Sequence, residues 1–157
     1  MQISLPVNNI ELKGEIKMKN EEPGIGRLIA RIRHGIYGYV ADRLKNHELD
    51  VGQFFFLRFI LHHEGNTQEQ IACGILLDKA TVSKGIKRLS QLGYVLKKVN
   101  PDDKREFKIY LTEKAMAFAP EIETIYKEVH DKLYLQLDEH QIGQLQSLLQ
   151  TIYKNFE

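Results

Sequence analysis

Between Thr67 and Thr112 the chain changes its hydrophobic period twice, and few folds accommodate that order. Helical spacing gives way to two short runs that alternate apolar and polar residues, and helical spacing resumes after Thr112. A period of about 3.6 suits a helix and a period of 2 a strand, and neither pattern serves for the other. In "NTQEQIACGILLDKATVSKGIKRLSQLGYV", Thr67 and Gln70 have capping-box spacing and open a short helix to about Leu76. Asp78 can cap a second helix, Lys79 to Leu92, which Gly93 ends. At about 100° per residue, Val82, Ile86 and Leu89 gather on one side of it. Thr81, Lys84, Lys87, Arg88 and Gln91 fall on the opposite side, with Lys79 and Ser83 near the margins. That is a helix-turn-helix. "YVLKKV" and "EFKIYL" then read as strands around Asn100-Pro101-Asp102-Asp103, whose residue types place the turn there. The predicted fold class is mainly α with a small β-hairpin wing (α+β): a winged helix-turn-helix.

The flanks read as helices. Leu28, Ile32, Tyr39, Val40 and Leu44 form an imperfect stripe from Ile25 to about Lys45. Asp50 with Gln53 opens "DVGQFFFLRFILHHEG", which Gly65 closes. Thr112 caps a long helix with Ala115, Phe118, Ile122, Ile125, Tyr126, Val129 and Leu133 in an apolar pattern; Pro120 should kink it or mark its true beginning. Asp138 and Gln141 open a last helix carrying Ile142, Leu145, Leu148, Leu149, Ile152, Tyr153 and Phe156. The expected units are an N-terminal arm or extension (1–24), a long first helix (25–49), the winged helix-turn-helix (50–112) and two C-terminal helices (113–157).

At 157 residues the chain has the length of one domain with appended helices, and its 43% hydrophobic and 27% charged residues are those of an ordinary globular protein. The longest apolar run, Phe54 to Leu61, is interrupted by Arg58, so no membrane span is expected. No basic region and apolar core begin the chain, and the single cysteine, Cys73, fits a reducing compartment, so a cytoplasmic location is expected. Net charge is +1, but residues 79–108 hold nine Lys and Arg against three Asp and Glu, a local +6. That imbalance fits a phosphate-facing surface or a solvated face equally well. No nucleophile, base and orienting group recur at a recognisable spacing, and there is no Gly-rich phosphate loop or zinc motif. An enzyme is not expected, nor a cofactor or metal.

From this point the chain resembles the MarR family of bacterial transcription regulators, over roughly Gly26 to Phe156. "DDKREFKIYLTEKA" is similar to the family's Asp-x-Arg wing followed by Leu-Thr-x-x-Gly/Ala, with Asp103 and Arg105 on the motif positions and Leu111, Thr112 and Ala115 on the exit. "TVSKGIKRLSQLGYV" resembles its recognition helix. The turn departs from the family, reading Leu76-Leu77 where a Gly or polar residue is usual, and the long first helix lacks the cysteine of the family's peroxide sensors.

The resemblance implies a homodimer on double-stranded DNA that binds a pseudo-palindromic operator as a repressor; activation or anti-silencing is the alternative on the same fold. Thr81, Ser83 and Lys84 would reach base edges from the N-terminal half of the recognition helix, and Lys79, Lys87 and Arg88 would meet phosphates. Arg105 would enter the minor groove. Asp103 either holds its guanidinium or, with Asp102, only forms the turn. Thr67 and Lys104 complete the DNA-binding set. Ile142, Leu145, Leu148, Leu149, Ile152 and Phe156 form the candidate dimer face, or pack within the subunit. By resemblance alone, Tyr37, Phe55 and Arg58 line a cleft for a small aromatic or anionic effector.

Other features have plainer readings. His62 and His63 point about 100° apart on a helix, so a shared metal is disfavoured against a helix-end role beside the negative C-terminus. Cys73 reads as a small half-buried thiol rather than a redox sensor. Gly35 and Gly38 either admit a close partner or simply weaken the first helix. Two other function classes fit the pattern: a winged helix used as a protein-interaction module without DNA affinity, and a small-molecule or metal sensor.

Overall fold

The computed structural model describes residues 24–101 and 103–156. The expected arm, residues 1–24, lies outside them except for Gly24. The elements run α1 (Ile25–Arg43), α2 (Val51–His62), α3 (Gln68–Ile75), α4 (Lys79–Gln91), β1 (Val95–Val99), β2 (Phe107–Leu111), α5 (Glu113–Tyr134) and α6 (Glu139–Tyr153), with a 3₁₀ turn at Lys154–Phe156. None of the described helices is long and apolar enough to cross a membrane.

Capping chemistry sets the helix starts. Asp50, Thr67 and Asp138 each form a two-way capping box with the glutamine three residues on, Gln53, Gln70 and Gln141. Asp78 and Thr112 cap α4 and α5 through the Thr81 and Ala115 amides. Gly93, at φ +76°, closes α4, with the Tyr94 N–H returning to the Leu89 carbonyl at 2.9 Å.

The core forms around α2. Its Phe54, Leu57 and Ile60 are wholly buried, together with Ile71 of α3, Val82, Ile86 and Leu89 of α4, Ile109 of β2, and Ile122 and Ile125 of α5. Helices α2 and α4 approach so closely that a Cβ added to Gly85 would lie 2.9 Å from the Phe56 ring. The strands pair antiparallel, from Val95 opposite Leu111 at the base to Val99 opposite Phe107 at the outer end.

Three local expectations are corrected. The hairpin loop runs from Asn100 to Glu106, and its bonded turn joins the Glu106 N–H to the Asp103 carbonyl at 3.0 Å, beyond the expected Asn100–Asp103 tip. Pro120 lies inside α5 and does not mark its beginning. It is exposed, as is Met116, the residue whose carbonyl loses its amide partner, while buried Phe118 and Ile122 hold the helix on either side. Cys73 is exposed rather than half-buried.

Candidate nucleic-acid interface

The recognition helix presents what its periodicity promised. Val82, Ile86 and Leu89 point into the core, and Lys79, Thr81, Ser83, Lys84, Lys87 and Arg88 are all exposed. Its N-terminus is tightly organised. The Asp78 carboxylate accepts from the Thr81 amide at 2.8 Å and from the Thr81 hydroxyl at 2.6 Å. These bonds, the hydroxyl first, hold the Asp78 carboxyl below the usual carboxylate range. The Thr81 proton is thereby committed within the helix, leaving its oxygen lone pairs to face outward.

The turn leading into α4 contains the feature flagged as a departure. Leu76 has φ +53° and ψ +44°, the left-handed conformation, and the Leu77 N–H returns to the Ala72 carbonyl at 3.1 Å. Leucine therefore occupies the position that glycine usually takes at a helix end, at a cost of about 1–2 kcal/mol. Its side chain stays 68% exposed, so local packing offsets little of that.

The wing is fixed to the helix-turn-helix through its backbone. Gly65 donates to the Ile109 carbonyl at 2.8 Å, Ile109 donates to the Asn66 carbonyl at 3.0 Å, and Thr67 bridges to Lys108. The segment entering α3 thus acts as a short third strand. At the base, the Leu111 N–H reaches a Glu64 carboxylate oxygen at 2.9 Å and the Thr112 hydroxyl donates to the Gly93 carbonyl at 2.7 Å. A wing held at this many points cannot swing freely about its base.

At the tip, Asp103, Lys104 and Arg105 are exposed. The Asp103 carboxylate accepts from the backbone N–H of Arg105 at 2.9 Å, and no ion pair joins it to the Arg105 guanidinium among the described residues. In this arrangement the Asp103 carboxylate is bonded to the backbone of the turn. Thr67 differs from the other candidates: only 8% exposed, it caps α3 through Gln70.

A groove of about 200 Å³ separates wing from helices, lined by Thr67 and Gln68 at the start of α3, Lys79 of α4, and Lys97, Arg105 and Phe107 of the wing. Glu69 and Glu106 also face it. Lys97, Gln68 and Phe107 were not among the sequence candidates. Strand alternation does carry the signal for Lys97, which shares a face with Val95 and Val99 and stands opposite core residue Ile109.

The expected effector residues separate. Phe55 and Arg58 line a cleft of about 410 Å³ with Phe59, His62, His63 and Ile75. Tyr37 lies beside Phe55, ring centres 5.8 Å apart, without lining that cleft. Arg58 stacks over the Tyr126 ring at 3.2 Å, and its buried Nε has no hydrogen bond but lies 3.8 Å from the Glu123 carboxylate. The adjacent histidines act separately: His62 meets Glu123 of α5 at 2.9 Å, while His63 bonds the Phe59 carbonyl and stacks on its ring. The candidate dimer face is open. No residue of α6 is buried; Leu145, Leu148, Leu149 and Phe156 are exposed, and Ile142 and Ile152 are half-buried.

Comparison with known proteins agrees with this architecture. Residues 49–107 match the model of the MarR family. The HTH-type transcriptional regulator BilQ of Clostridioides difficile is 28% identical over 118 residues, spanning 70% of this chain and 80% of that protein. Among solved structures, the transcriptional regulator SlyA has a TM-score of 0.79 at 28% identity, covering 85% of this chain and 94% of SlyA. A putative MarR family regulator from Listeria monocytogenes, solved in complex with 26mer DNA, has a TM-score of 0.77 at 26% identity, covering 85% of this chain and 89% of its own. A winged helix-turn-helix with an exposed cationic recognition helix, matched by these relatives, identifies residues 49–107 as similar to the MarR family and gives the chain the fold of MarR-type transcription regulators.

Proposed function

We propose that this regulator binds double-stranded DNA as a homodimer, recognises a pseudo-palindromic operator, and represses by blocking polymerase. One observation carries the reading: Lys79, the first residue of the recognition helix, and Arg105 of the wing line the same groove. Helix and wing therefore meet a duplex from one side, and neither Lys84 nor Arg105 is covered by the C-terminal helices. Lys84, with Ser83 and the outward oxygen of Thr81, is positioned for base edges. Lys79, Lys87, Arg88 and Lys104 supply phosphate contacts, and Arg105 the minor-groove contact.

A two-fold dimer sets two recognition helices about 34 Å apart, one turn of duplex. Support comes from the apolar stripe of α6, with Phe156 84% exposed, and from Ile25, Leu28, Ile29 and Ile32 at the exposed start of α1. The test is selection of bound fragments from random DNA at two salt concentrations. An inverted repeat with steeply salt-dependent affinity is expected; binding indifferent to salt would favour a protein-interaction module instead. Arg105→Ala should weaken the selected site about 5- to 150-fold without loss of fold. Lys84→Ala should relax base preference, and an unaltered consensus would confine that lysine to phosphate.

A small aromatic or anionic effector is the second partner in this reading. The Phe55–Arg58 cleft offers aromatic walls, a guanidinium with an unbonded buried nitrogen, and His62, whose partner Glu123 belongs to α5. An anion placed there would compete with Glu123 for His62 and Arg58, loosening α5 from the DNA-facing lobe and releasing the operator. Thermal-shift screening with aromatic carboxylates checks this. Stabilisation that survives Arg58→Gln would place the effector elsewhere.

A further inference from the structure

The wing groove lies where a duplex offers only one kind of chemistry. An element in the major groove and another in the adjacent minor groove straddle one sugar–phosphate strand, so whatever joins them faces that strand. Here the joining surface is concave and receives cations from three places: Lys79 from α4, Lys97 from β1 and Arg105 from the wing loop. Its geometry is preset, because the backbone bonds of Gly65 and Asn66 to Ile109 tie the wing strand to the start of α3.

Resting on the DNA-binding reading, we infer that this groove seats one phosphate of the DNA backbone, with Lys97 as its wing-side cation. The wing then grips the duplex by its strand as well as by its tip. The two carboxylates facing the groove do not cancel the three cations. Glu69 lies 3.6 Å from Lys79, both side chains about 70% exposed, and such a pair opens readily when a phosphate competes. Glu106 accepts from the Asn100 amide at 3.3 Å. A volume of about 200 Å³ accommodates a phosphodiester group with its nearest waters.

Lys97 and Lys98 make the assignment testable, since alternation sends them to opposite faces of the wing. Lys98 stands over the Tyr110 ring at 4.6 Å and does not line the groove. Affinity for the tightest duplex selected from random DNA is measured by fluorescence anisotropy from 50 to 200 mM salt (a range of roughly that width resolves the slope). Lys97→Gln should lower affinity without altering the selected consensus, and should reduce the log–log salt slope by about 0.9, the loss of one phosphate contact. Lys98→Gln should leave the slope at the wild-type value, and circular dichroism should show both variants folded. An unchanged slope in Lys97→Gln, or an equal reduction in both variants, overturns the phosphate seat while leaving DNA binding intact. Failure of the wild-type protein to bind duplex DNA overturns both.

Discussion

Replacing Leu148 with alanine separates the two roles its helix could have. Leu148 is 64% exposed in the subunit, on a helix with no buried residue. Full burial of a leucine is worth about 1.5–3 kcal/mol, so covering the exposed part at an interface contributes roughly 1–2 kcal/mol. A two-fold dimer contains the position twice, which brings the expected loss to about 2–4 kcal/mol. That is a weakening of dimerisation by roughly 30- to 700-fold. The β-carbon retained by alanine trims the figure and the cavity left between subunits raises it, so the order of magnitude stands. Within one subunit the side chain has little to lose, and unfolding of the dissociated monomer should change by less than about 0.5 kcal/mol. Analytical ultracentrifugation over a wide concentration range gives the first quantity, and urea unfolding below the dissociation constant gives the second. An unchanged dissociation constant with a destabilised monomer would refute the argument, because it would mean that the stripe is covered within its own chain.

Three other perturbations follow from particular geometries. Leu76→Gly relieves the left-handed strain at an exposed position and should stabilise by about 1 kcal/mol, raising Tm by roughly 2–4 °C; a lower Tm would show that the leucine packs against something. A Cβ added to Gly35 meets nothing within 4 Å, so Gly35→Ala should stabilise the monomer by about 1 kcal/mol in helix propensity. If α1 of a partner approaches there, the same change should weaken the dimer, and unaltered dimerisation would remove that part of α1 from the interface. Asp78 has a carboxyl pKa below the ordinary value near 3.8, chiefly through the Thr81 hydroxyl and then its amide. Its contribution to stability is therefore complete above about pH 3.8 and fades as pH falls through the lower folded value. An NMR titration of the Asp78 carboxyl should find its midpoint below 3.8, and a midpoint at or above that value would contradict the cap; Asp78→Asn should keep the cap while removing this acid sensitivity.

What could be read from the sequence was what local chemistry decides. The starts of α2, α3, α4 and α6 were legible because Asp50, Thr67, Asp78 and Asp138 act on amides only three residues away. The inward face of α4 was legible because helical geometry alone groups Val82, Ile86 and Leu89. Features set by tertiary constraint were not. Leu76 carries no sign of a left-handed residue, since the requirement comes from the angle at which α3 must hand over to α4. The wing tip was misplaced because Asn100-Pro101-Asp102-Asp103 has strong turn chemistry, yet the strand register, Val99 opposite Phe107, closes the loop at Asp103–Glu106. Lys97 was missed for a different reason: a charge count weighs every lysine equally, whereas strand alternation separates Lys97, opposite core residue Ile109, from Lys98.

The near-neutral total charge is consistent with a cationic face because the two signs serve different surfaces. Three carboxylates of α5 are engaged inside the subunit. Glu121 meets His47 at 3.0 Å, Glu123 meets His62 at 2.9 Å, and Glu128 accepts from Arg43 at 3.0 Å and from the Tyr39 hydroxyl at 3.1 Å. Each contact is partly exposed and individually weak, but together they fasten α5 to α1, to α2 and to the segment between them. The same helix starts at the wing exit, where Thr112 bonds the Gly93 carbonyl, and leads into α6. Negative charge is thus concentrated where the subunit is braced and positive charge where a duplex would lie. If, as proposed, α6 forms the dimer face and the Arg58 cleft holds an effector, a change that loosens α5 would move that face relative to the wing, and the His62–Glu123 contact at the edge of the cleft would link effector binding to DNA geometry.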